Sequence, residues 1–293
     1  MARVYYVDVA VPADRKKRRK HKTHAVFDGG RVFRVRRLTE LDDASEIYID
    51  AMFPQIYEEL MELIRRSVKI FLLKSTRLLK RLREENGVEK SDEVDARLLS
   101  TIPRNHFKQL TLKDLKLLQL INMYERYTGW KSLIRRWASA YPDSPFKEYA
   151  KEICSMQDCY SRRIIKEIAK DEDYVVIYRM VCEELGVRDS VEVAILVARL
   201  PLNWRLSRLK GLLGLIPRKN KNHDYHHRLR THLARFAAMI YVNNKRHGIC
   251  ARLFKGINRV PRDKALHALQ LRILKILKKA WQQQRQYMLA GGQ

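Results

Sequence analysis

The sequence is short of acid and of anything that would carry it across a membrane. Thirty-three Asp and Glu stand against 60 Lys and Arg, a formal net charge of +27 over 293 residues. Such an excess repels itself, and a polyanion relieves it, with nucleic acid ahead of a membrane surface. No apolar run is long enough to span a bilayer and no charged-then-apolar signal opens at Met1, so the expectation is a soluble, cytoplasmic, nucleoid-associated protein with no membrane partner. Cysteine is scarce. Cys154, Cys159, Cys182 and Cys250 make no C-x-x-C pair, which argues against a zinc site or a disulfide framework and for buried thiols. What is present is an ordinary apolar fraction, 46%, enough for one large or two to three small domains that fold without staples.

In chain order, residues 3–11 (RVYYVDVAV) form a β-branched and aromatic run that predicts a buried strand, with Asp8 in its middle. A carboxylate in a central strand loses hydration, so it is neutral, hydrogen-bonded or bound to a cation. A basic run follows, Arg15, Lys16, Lys17, Arg18, Arg19 and Lys20, and then THAVFDGG and RVFRVRRL, spaced as strands two and three of an antiparallel meander. The basic run then falls on the first hairpin and reads as a phosphate contact, against the plainer alternative of a solvated loop. Residues 47–52 predict a fourth strand carrying Asp50, 54–64 a helix, 67–73 a fifth strand, 76–85 a basic helix, and 89 onward a helix capped by Ser91. In its first turn Asp92 and Asp95 stand three apart, so their carboxylates share a face. The plainer account of such a pair is the preference of acids for a helix N-terminus.

The order β-β-β-β-α-β-α-α is that of the ribonuclease H and RuvC type of α/β fold, in which acids on strand one, after strand four and on a late helix converge. Asp8, Asp50, Asp92 and Asp95 occupy those places. Two carboxylates about 5 Å apart at an effective dielectric of ~20 repel by roughly 3 kcal/mol, so four together raise one another's pKa or demand a divalent cation. Mg²⁺ or Mn²⁺ suits such an all-oxygen set and serves phosphoryl transfer on DNA.

Three stretches, VYYVDVAV, the segment from IYIDAMF to LLKRL, and KSDEVDARLLS, resemble the catalytic domain of the DEDD-group insertion-sequence transposases, the family that includes the Piv DNA invertase. KSDEVDA is the most specific part, because the family carries Lys-Thr-Asp-x-x-Asp-Ala at this point. Helices over 110–180 take the place of the family's coiled coil. Leu117, Ile121, Tyr124, Ile134 and Trp137 recur near heptad spacing, Tyr141-Pro142-Asp143-Ser144-Pro145 breaks the run, and a second helix from Phe146 makes a helical hairpin. Leu185-Gly186-Val187, Ala194-Ile195-Leu196 and Leu212 to Pro217 (LLGLIP) are similar to the family's C-terminal transposase domain. The resemblance thus implies a catalytic domain over 1–105, a hairpin arm over 106–180 and a small helical domain over 181–262, and the apolar stripe of Leu266, Leu269, Ile273, Ile276 and Leu277 predicts a basic C-terminal helix over 263–293.

It also implies DNA recombination or transposition by a homo-oligomer, dimer or tetramer, with a structured guide RNA as a further partner. Two departures matter. The family's second acid is Glu where this chain has Asp50, and the serine that follows its Gly-Leu-x-Pro is missing here, which leaves no assigned nucleophile and Tyr225 as the nearest hydroxyl. A domesticated relative that only binds nucleic acid, or a structure-dependent nuclease without strand transfer, therefore stays open. Arg218, Lys219, Lys221, Arg228 and Arg230, with the histidines around them up to His232, read as phosphate contacts in preference to plain surface or a metal site.

Overall fold

Strand β1 (Arg3–Asp8) alternates: Tyr5 and Val7 turn to one side, Val4 and Tyr6 to the other. The computed structural model describes residues 3–10, 23–216, 225–247, 251–257 and 260–290. After β1 come β2 (His24–Phe27), β3 (Val32–Val35), β4 (Ala44–Ile49), α1 (Tyr57–Arg65), β5 (Lys69–Leu73), α2 (Arg77–Asn86), α3 (Asp92–Thr101) and β6 (Phe107–Leu110). The element order expected up to α3 is the one observed. Strand ends differ: Asp8 closes β1 instead of sitting in its middle, and Asp50 follows β4. Strand β6 was not expected, because the apolar residues of FKQL, Phe107 and Leu110, stand three apart and show no period of two, and antiparallel pairing with β5 is what makes the segment a strand.

These strands form one mixed six-stranded sheet in the order β3-β2-β1-β4-β5-β6, with β1, β4 and β5 parallel and β2, β3 and β6 joined antiparallel. Its two faces bury separate cores. Tyr5, Val7, Ile47, Ile49 and Ile70 lie under Leu60, Met61 and Leu63 of α1. On the opposite face Tyr48, Phe71 and Leu73 lie with Leu79 of α2 and Leu99 of α3, and Tyr48 stacks on Tyr6 and Phe71 at 5.2 and 4.7 Å between centroids. Gly87, at φ 63, ends α2 in the left-handed conformation that turns the chain toward α3.

The chain divides into two compact units, Met1–Asn122 and Met123–Gln293. The second is helical. It takes up the latter part of α4 (Leu112–Ala140), then α5 (Phe146–Ala169), α6 (Glu172–Glu184), α7 (Val191–Arg199), α8 (Leu206–Leu212), α9 (His227–His247), α10 (Ala251–Phe254) and α11 (Arg262–Ala290). Helix α7 is buried continuously from Glu192 to Val197 and is packed against α5, α6 and α9. Helices α4 and α5 form an antiparallel hairpin: Tyr127 stacks on Tyr160 at 5.4 Å, Gln157 bonds Thr128 at 2.8 Å and Lys131 at 2.7 Å, and Trp137 meets Phe146 at 5.3 Å. Cys182 is buried as expected, but Cys159 is exposed, because it lies on the outer side of α5. Among the described residues no helix is long and apolar enough to cross a membrane.

Candidate functional site

Parity on two neighbouring strands decides where the acids go. β1 and β4 run parallel with Val7 opposite Ile49, and the next residues are Asp8 and Asp50. Val7 and Ile49 turn toward α1, so their successors turn toward the other face, where α3 packs on β1 and β2. There the two carboxyl groups are joined by a side-chain hydrogen bond. Asp50 also accepts the backbone N–H of Val9 at 2.8 Å.

Burial pushes the Asp8 carboxyl up to about 8, and the charges of Asp50, Asp92 and Asp95 add to it. Asp50 is raised as well, by burial, against the hydrogen bonds from the Val9 amide and from Asp8. Two desolvated acids side by side do not both ionise, so at neutral pH the pair keeps one proton, which Asp8 donates to Asp50. Nearby, His24 of β2 is buried, and its Nδ1 accepts the Ala10 N–H at 3.1 Å. Burial holds that imidazole below its ordinary value, with Glu40 opposing, so it is a neutral brace for the chain just beyond Asp8.

Asp92 and Asp95 come from the first turn of α3, where the Ser91 hydroxyl accepts the Val94 N–H at 3.1 Å. Asp95 is buried and paired with Arg83 of α2. Asp92 is half-buried and pairs with Arg34 of β3 at 3.5 Å, and the same guanidinium reaches Glu93 at 3.5 Å. Among the described residues no three His, Cys, Asp or Glu side chains gather closely enough to hold a metal ion. The arrangement is a hydrogen-bonded pair with two further acids turned to arginines. In kind the donors, carboxylate oxygens throughout, fit a hard divalent cation, whose charge would oppose the burial and repulsion that hold the Asp8 carboxyl above its ordinary value.

The other expected residues fall elsewhere. Arg15, Lys16, Lys17, Arg18, Arg19 and Lys20 lie outside the described residues, as do Arg218, Lys219 and Lys221. Arg228 pairs with Glu125 at 3.3 Å, and Arg230 donates to the Leu213 carbonyl at 3.2 Å. Tyr225 covers Gly214, whose φ is +61 and where a Cβ would meet the ring at 2.9 Å. His232 is a correction: it is 1% exposed, so it is neither a phosphate contact nor surface. Its Nε2 lies 3.1 Å from Glu125, its Nδ1 bonds Glu192, and the Tyr124 hydroxyl donates to Glu192 at 3.1 Å.

Sequence reasoning missed Arg83 and Arg34, and it counted His232 among the phosphate contacts when the fold buries it. Two of the three had a local signal. Arg83 stands four residues after Leu79, on the stripe of α2 that meets the sheet, and His232 falls in the buried stripe of Leu229, Leu233, Phe236 and Ile240. No protein-family model matches this chain, and no curated protein matches it.

Proposed function

We propose that the chain is a ribonuclease H-like, RuvC-type protein of the DEDD transposase kind that acts on DNA by divalent-cation-dependent phosphoryl transfer. The observation that carries this reading is the Asp8–Asp50 pair, two acids brought together at the ends of adjacent parallel strands, with Asp92 and Asp95 on the first turn of α3, the helix packed on β1. The element order supports it too, as does the +27 charge, which suits a polyanionic substrate.

Asp8 and Asp50 would hold Mg²⁺ or Mn²⁺, with Asp92 and Asp95 completing the oxygen set. Such an ion, when bound, activates an attacking oxygen and stabilises the leaving one. The residues of the chain supply the rest. Asp8 gives up its proton to solvent, the Val9 N–H keeps Asp50 in place, and the Ser91 cap holds the turn from which Asp92 and Asp95 project.

A second reading, a relative that binds nucleic acid without cutting it, is favoured by one observation: Asp95 is engaged by Arg83. Cleavage and strand transfer on labelled duplex and branched DNA, with Mg²⁺, Mn²⁺ or EDTA and with copurifying RNA kept or removed, separate the two. Products that need metal and fall by about a hundredfold or more in Asp8→Asn and Asp95→Asn, with DNA binding intact or tighter, are expected. Binding without products in any metal would leave the binding protein. Products that appear only when the RNA is kept would mark a guided recombinase.

A further inference from the structure

Each aspartate of α3 has an arginine of its own, brought from a different element. The two pairs differ in depth. Arg34 and Asp92 have side chains 43% and 38% exposed, so water and salt weaken their attraction. Arg83 and Asp95 are covered, at 14% and 8%. A covered ion pair is a poor device for stability alone, because desolvating both charges offsets most of their attraction.

We propose that Arg83 is a built-in counter-cation of the acidic site: it holds Asp95 aside until a divalent cation enters, and then yields it, so that loading exchanges one cation for another on the same carboxylate. The inference rests on the cation-site reading proposed above. The exchange needs little movement of the backbone. Arg83 lies in the last turn of α2, where its carbonyl accepts the Gly87 and Val88 amides, and from Glu84 to Ser91 the chain is exposed, so a rotated guanidinium reaches water directly. A four-torsion side chain is suited to that release, whereas Asp95 is fixed by the capped first turn of α3.

Holding Asp95 aside opposes cation binding, whereas merely orienting Asp95 as a ligand would favour it, so the sign of one substitution decides. Mn²⁺ binding is measured by titration calorimetry on the full chain, stripped of nucleic acid, for wild type, Arg83→Gln, Arg83→Lys and Asp8→Asn, with a thermal melt on each. Arg83→Gln should bind Mn²⁺ about tenfold tighter or more, Arg83→Lys should tighten less, and Asp8→Asn should lose the site. In the wild type, the Arg83 Nε–H resonance should move toward that of a solvated arginine when Mg²⁺ is added, a readout that needs no variant to fold. Unchanged or weaker binding in Arg83→Gln, or an Arg83 resonance indifferent to Mg²⁺ while Asp8-dependent binding persists, overturns the exchange and leaves the metal site standing. Absence of Asp8-dependent binding in both wild type and Arg83→Gln overturns the two together.

Discussion

The proton that Asp8 keeps ties folding to pH. Its carboxyl sits at about 8 in the folded chain against an ordinary 3.8, because burial and three neighbouring acids oppose its charge. Unfolding therefore releases a proton at every pH between those values. The stability that goes with it is fully present below the ordinary value and is lost as pH rises to the folded one. Asp8→Asn removes this dependence. In metal-free buffer the wild type should lose roughly 2 kcal/mol or more between pH 5 and pH 8 that the variant retains, seen as a larger drop in Tm. Equal losses in both proteins would place the proton elsewhere. The same substitution thus separates two roles of one residue, since it should stabilise the fold while ending the metal-dependent cleavage proposed above.

Helices meet at two charged joints, and each makes its own prediction. Glu125 of α4, Glu192 of α7 and His232 of α9 form the first, with Arg199 and Arg228 each 3.3 Å from Glu125. Burial alone would lower His232, but its hydrogen bonds to Glu125 and Glu192 and their charges outweigh it, so the imidazole titrates above its ordinary value. Burial likewise favours a neutral Glu125, yet the bond to His232 and the charge of Arg199 bring that carboxyl below its ordinary value. Protonated, the ring donates to both glutamates; neutral, it faces one of them with a lone pair. Stability from this joint is full below the ordinary imidazole value and is lost as pH rises through the folded one, so amide exchange along α9 should gain protection on moving from pH 9 to pH 6. His232→Ala should cost about 3–5 kcal/mol and abolish that dependence. The second joint is the first turn of α3. Ser91→Ala removes the cap on the Val94 amide and should cost about 1 kcal/mol, with faster exchange at Val94, and Ser91→Asp should restore most of it.

Charge is a property of the whole molecule, and it is unevenly spread. Between residues 193 and 293 the only acids are Asp224 and Asp263, whereas the acids of the candidate site lie in the first unit. A chain that neutralises about five phosphates releases their counterions, so its affinity for duplex DNA should fall roughly a hundredfold between about 0.1 and 0.3 M salt. Fluorescence anisotropy over that range measures the slope. A flat line would detach the +27 charge from nucleic acid.

The sequence by itself determined the elements up to α3 and the helical hairpin, because the signals that make them act over a few residues: the period of two in RVYYVD, the serine before Asp92, the proline-bounded break after Ala140. It also brought forward the four aspartates, since an acid in an apolar strand or in a capped first turn stands out from its neighbours. Tertiary structure alone decided what those residues meet. The register that sets Val7 against Ile49, and hence Asp8 against Asp50, comes from two strands far apart in sequence whose alignment is chosen by the cores on both faces of the sheet. The pairing of Arg83 with Asp95, the enclosure of His232 between two glutamates and the existence of β6 depend in the same way on partners that no local pattern names. Propensity is local, whereas burial and charge pairing are settled by the whole fold.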